Sequence, residues 1–74
     1  MSQPDAVNLE VGDRPINLTQ VLKLSGAVLS GGEAKSLIAE GRVRVNGELE
    51  LRKRKQLAVG DVIEMEEGPT IRLV

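Results

Sequence analysis

Ser30-Gly31-Gly32-Glu33-Ala34-Lys35-Ser36-Leu37-Ile38-Ala39-Glu40-Gly41-Arg42-Val43-Arg44-Val45-Asn46-Gly47 is the stretch in which the hydrophobic period of the chain changes. Ser30 with Glu33 three residues later is the pattern of a capping box, each side chain accepting a backbone N–H of the first helical turn. Ala34, Leu37 and Ile38 follow at spacings of three and four, which predicts one buried stripe, and Gly41 supplies a left-handed stop. The expected helix therefore lies between Ser30 and Gly41. After it Arg42-Val43-Arg44-Val45 alternates with period two, one arm of a β-hairpin that turns at Asn46-Gly47.

Gly31-Gly32 opens that helix with the residue that costs about 1 kcal/mol relative to alanine in a helix interior. Two readings stay open. Bare first-turn N–H groups form an anion site, and Lys35 one turn on leans back over it. Alternatively the glycines let another segment pack closely, and the Glu33 carboxylate in the same turn repels an anion.

Upstream, Val7, Leu9 and Val11 alternate with Asn8 and Glu10, a strand that ends at Gly12-Asp13-Arg14-Pro15. Asn17 and Gln20 form a second capping box, flanked by Ile16 and Val21 at the two positions of a hydrophobic staple. Leu18, Val21 and Leu22 make the apolar face of this first helix, Lys23 falls off it, and Gly26 stops it. Ala27-Val28-Leu29 is short enough that the two helices should pack as an angled helix-turn-helix pair.

Downstream, a two-residue turn at Asn46-Gly47 would set Val45 opposite Glu48 and Val43 opposite Glu50, with carboxylates on the buried face. A three-residue loop, Asn46 to Glu48, pairs Val45 with Leu49, Val43 with Leu51 and Arg44 with Glu50, and is the expected register. Arg52-Lys53-Arg54-Lys55 cannot continue the strand without placing lysines on its apolar face, so the chain should bend there. Val62 to Glu66 and Thr70 to Val74 read as a second hairpin, with Ile63 facing Leu73, Met65 facing Ile71 and Glu64 facing Arg72. The fold class is α+β: two packed helices against a small, mainly antiparallel sheet of four to five short strands. Residues 1–5 read as a flexible tail and 6–74 as one domain.

The 74 residues include no cysteine, histidine or aromatic residue, so the core must be built of Val, Leu and Ile without disulfide staples. Nucleophilic and acid/base catalysis lack their usual residues, and Ser25, Ser30 and Ser36 have no plausible base. The carboxylates are scattered, and no cofactor or metal site is expected. No apolar run nears the roughly 18 residues that span a bilayer, the first residues lack a signal-peptide pattern, and the cytoplasm is the expected compartment.

Charge is the remaining signal. The net charge is −1, but Lys35 to Lys55 carries seven cations against three carboxylates, while Gly60 to Val74 carries Asp61, Glu64, Glu66 and Glu67 against Arg72 alone. One positive and one negative face should result, a field able to steer a polyanion. Without aromatic side chains for stacking bases, single-strand reading is poorly supported, and recognition of folded or duplex RNA by shape and backbone fits better.

The succession Leu18…Leu22-Lys23…Gly26…Ser30…Ala34-Lys35…Leu37-Ile38…Gly41-Arg42-Val43…Val45-Asn46-Gly47…Gly60-Asp61-Val62-Ile63 resembles the RNA-binding domain first described in ribosomal protein S-four, the αL motif. Ser-Gly-Gly-x-Ala-Lys and Arg-Lys-Arg-Lys look most like its small stand-alone members, the YbcJ/YaaA-like subgroup. The resemblance implies binding of structured RNA through the two-helix unit and adjoining loop, ribosomal or transfer RNA being the candidate classes. The residue inventory makes the expected binder non-enzymatic, and a monomer is expected although the sequence leaves the oligomeric state open. Its implied contact residues are Lys23, Ser30, Gly31, Gly32, Lys35, Asn46 and the bend Arg52, Lys53, Arg54 and Lys55, to which the charge pattern adds Arg42 and Arg44. Many members carry arginine where this chain has Gly31 and a basic residue where it has Glu40. The competing expectation is a protein adaptor, for example ribosome-associated, whose acidic C-terminal hairpin meets a basic partner.

Overall fold

The structure, a computed structural model, describes residues 6–66 and 68–74. The expected tail and Glu67 lie outside the described residues. The elements in order are β1 (Ala6–Leu9), β2 (Ile16–Asn17), α1 (Leu18–Leu24), α2 (Gly31–Ala39), β3 (Val43–Val45), β4 (Glu48–Leu49), β5 (Gln56–Leu57), β6 (Val62–Met65) and β7 (Thr70–Leu73). Two helices pack against a mixed five-stranded sheet of order β1-β7-β6-β3-β4, with β2 and β5 forming a separate two-stranded ribbon. Among the described residues only the β1–β7 pairing is parallel; the remaining pairs are antiparallel.

Both helix starts follow from their caps. Asn17 accepts from the Gln20 amide and the Gln20 side chain accepts from the Asn17 amide, a complete capping box. Ser30 likewise accepts from the Glu33 amide, but the Glu33 carboxylate reaches one residue further back, to the Leu29 amide at 2.8 Å. The expected box is thus half formed. The end of α2 is a Schellman motif: Gly41, at φ +76°, donates to Ile38 while Arg42 donates to Leu37.

One aliphatic core unites Leu18, Val21, Leu22, Ala34 and Ile38 of the helices with Val43, Val45, Ile63, Ile71 and Leu73 of the sheet. Alternation in β3 and β7 supplies the sheet's buried face and turns Arg44 and Arg72 to the other side.

Both expected hairpin registers are corrected. In the first, Val45 faces Glu48 and Arg44 faces Leu49, so the turn has two residues. Asn46 and Gly47 both take positive φ, +53° and +84°, the conformation a two-residue type I′ turn demands and whose twist suits the flanking strands. The Asn46 side chain locks it by donating to Asp61 and accepting from the Val62 amide. The feared burial of carboxylates is avoided at the sheet edge, where Glu48 is exposed, and neutralised at Glu50 by a partner described below. In the second hairpin Ile63 faces Ile71 and Glu64 faces Thr70, a shift of two residues that keeps every side chain on its expected face.

The β2–β5 ribbon was not legible. It returns the chain from the basic bend to the start of α1, pairing Ile16 with Leu57 and Asn17 with Gln56.

Candidate functional site

The bend Arg52 to Lys55 is a tight turn closed by the Lys55 amide donating to the Arg52 carbonyl. It sits on the N-terminus of α1, whose first amides need acceptors. The Leu18 amide donates to the Lys55 carbonyl at 3.0 Å, and the Thr19 amide and hydroxyl both donate to the Lys53 carbonyl, at 3.2 and 2.8 Å. The main chain of the bend is thereby fixed to the helix, and Lys53 and Arg54 are exposed.

This docking brings the bend to the helix pair. Asn17, Thr19, Gln20, Lys23, Lys35, Lys53 and Arg54 line one groove of about 160 Å³, with cations contributed by α1, α2 and the bend. Lys23 also lies over the start of α2: a Cβ placed on Gly31 would meet the Lys23 Cδ at 3.9 Å, an ordinary van der Waals contact. Gly31 and Gly32 hold the first-turn positions, where amides have no intrahelical acceptor, and Ser30 is committed as the cap. The arrangement suits a row of phosphates better than a single one, since its positive groups come from three separate elements. Glu33 keeps its carboxylate on the Leu29 amide and lowers the local field.

The other expected residues go elsewhere. Arg42 is ion-paired with Glu40 at 3.0 Å beside the end of α2. Arg44 stands on the sheet face away from the core, opposite Glu64 in the β3–β6 register. Asn46 is engaged in its turn. Arg52 folds back on Glu50, giving that carboxylate its Nε at 2.9 Å, a terminal guanidinium nitrogen at 3.3 Å and its backbone amide at 3.0 Å. Arg54 and Lys55 join Arg52 and Gln56 around a second, open concavity. Asn17, Thr19 and Gln20 were missed as lining residues because their visible roles were local to the helix cap. Thr19 carried no signal at all.

Glu50 is the buried organiser of the bend. Its carboxyl titrates below the ordinary carboxylate range, chiefly through the Arg52 guanidinium hydrogen bond, with burial opposing and the Arg52 amide and the charges of Arg52 and Lys55 assisting. A lowered folded pKa stabilises the folded state above the unfolded glutamate value of about 4.3, and that stabilisation disappears as pH falls through the folded value. Unfolding free energies of the wild type and Glu50→Gln from urea titration should therefore differ at pH 7, by about 1 kcal/mol given that Arg52 is largely solvated, and converge on acidification below about pH 4. A gap independent of pH would refute the assignment.

Among the described residues no group of three or more acidic side chains is arranged to hold a metal ion, and no helix is long and apolar enough to cross a membrane.

Comparison with known proteins adds relatives of the same size. The S4 domain profile matches residues 9–74. A probable ribosome maturation protein, RlbA of Bacillus subtilis strain 168, is 41% identical over 66 residues, covering 89% of this chain and 87% of that protein. The putative RNA-binding protein YbcJ of Escherichia coli K12 is 38% identical over 65 residues, covering 86% and 91%. A tyrosine–tRNA ligase of Bordetella pertussis is 36% identical over 59 residues, which are only 14% of that larger protein. The solution structure of E. coli YbcJ, whose description names an αL motif involved in RNA binding, superposes with a TM-score of 0.61 at 33% identity, covering 97% of this chain and 91% of that one.

Proposed function

Since the chain belongs to the S4 domain family, we propose that it is a non-enzymatic binder of structured RNA, of the ribosomal or transfer class, acting as one domain over residues 6–74. The observation that carries this reading is the convergence of Lys23, Lys35, Lys53 and Arg54 on one groove. Each cation can neutralise a backbone phosphate, and a groove bounded by two helices and a fixed turn discriminates by shape. Lys55, Gly31 and Gly32 extend the contact surface at its two ends, while Ser30 and Asn46 act by holding the local backbone. Arg42, Arg44 and Arg52 contribute less, being paired or turned away. The names of RlbA and YbcJ support RNA as the ligand, and that of RlbA suggests ribosomal RNA.

Filter binding of a ribosomal RNA stem-loop against oligouridine of equal length tests the proposal. Stacking on aromatic side chains, worth about 1–3 kcal/mol per base in single-strand binders, has no residues to act through in this chain. The stem-loop should bind at least about tenfold more tightly. Equal affinities would reject shape recognition, and no binding of either would reject the RNA reading.

A further inference from the structure

The two-residue turn turns Leu49 and Leu51 away from the core. Leu49 pairs with Arg44 on the sheet face opposite the helices, and the two leucines are 52% and 58% exposed. β4 is also a terminal strand of the sheet. The Glu50 amide donates inward to the Val43 carbonyl at 3.0 Å, so antiparallel alternation points the N–H and C=O groups of Leu49 and Leu51 off the edge. Among the described residues the Leu51 amide finds no acceptor. Exposed leucines beside an unpaired main chain are a template for another strand.

The charges at this edge say which strand. Where β4 ends, Arg52, Arg54, Lys55 and Gln56 surround a concavity of about 480 Å³. We propose that the β4 edge docks an extended segment of a partner protein in which apolar and acidic residues alternate. Such a segment adds a strand to the sheet, sets its apolar side chains beside Leu49 and Leu51, and directs its carboxylates toward Arg54 and Lys55. Alternation is required because successive strand residues face opposite sides. A second copy of this chain is disfavoured, since of the two carboxylates in its own Glu48-Leu49-Glu50-Leu51 only Glu48 is exposed, Glu50 being buried against Arg52. RNA offers neither the main-chain pattern nor apolar groups for the leucines. Arg54 borders both surfaces, whereas Lys23 and Lys35 line the RNA groove alone, so the response of those two lysines tells the surfaces apart.

The test is an NMR titration of the ¹⁵N-labelled full chain with an acetylated, amidated peptide of alternating valine and glutamate. Its control has the same composition in two blocks. The alternating peptide should shift the Leu49 and Leu51 amides, slow their hydrogen exchange, and leave Lys23 and Lys35 unmoved. Leu49→Asn with Leu51→Asn should weaken it by about tenfold or more while the rest of the spectrum stays in place. The proposal is overturned if the peptide does not bind, if the block control binds equally, or if shifts are confined to residues 52–55. It is equally overturned if a stem-loop RNA moves the two leucine amides, or if the protein alone dimerises through them.

Discussion

With Lys23, Lys35, Lys53 and Arg54 all replaced by glutamine, affinity for a structured RNA should fall by about three orders of magnitude near 0.1 M salt. Each phosphate neutralised by a cation releases condensed counterions and contributes about 0.7 to 0.9 to the slope of log affinity against log salt. Removing all four should flatten that slope by about 3. All four side chains are exposed and make no ion pair within 4 Å among the described residues, so stability should change by no more than about 0.5 kcal/mol per site. Arg42→Gln with Arg44→Gln is the matched control, for it removes two cations that lie outside the groove and should leave the slope nearly intact. A steep slope in the fourfold variant, or a flattened one in the control, would place the phosphates somewhere else on the molecule.

The second large effect concerns the fold that holds the groove together. Leu22 is fully buried in α1 and belongs to the shared core of helices and sheet. Leu22→Ala should cost about 2–5 kcal/mol, the transfer free energy of the lost carbons plus a cavity that neighbours only partly fill. A domain of this length has roughly 4–11 kcal/mol to lose, so the thermal midpoint should drop by roughly 10 to 30 °C. Circular dichroism is the suitable probe, because the chain has no Trp or Tyr to report by fluorescence. Leu49→Ala removes the same atoms at an exposed site and should shift the midpoint little. Similar losses for both would mean that the helices do not depend on the core described.

The parts of this structure that local chemistry dictates were legible in the residues. Asn17 with Gln20, the apolar stripes of both helices and the Gly41 stop each place a helix end without reference to the rest of the chain. Pairing was harder to read. The choice between turns at Asn46 rested on keeping carboxylates out of the core, a sound rule that failed because Arg52, two residues beyond Glu50, covers the one carboxylate buried among the described residues. The location of the basic bend depends on carbonyls of Lys53 and Lys55 serving as acceptors for α1, and carbonyls look alike in every sequence. The assembly of the groove from α1, α2 and residues 53–54 follows from that contact, which explains why its cations could be guessed as a group while Thr19 and Gln20 beside them could not.

That same contact separates what the bend is from what it says. Since the helix grips only main-chain oxygens, the identities of the exposed Lys53 and Arg54 are free to vary without disturbing the scaffold. On the proposed reading, descendants of this chain can therefore acquire a new RNA preference by rewriting two letters, with the architecture left as it stands.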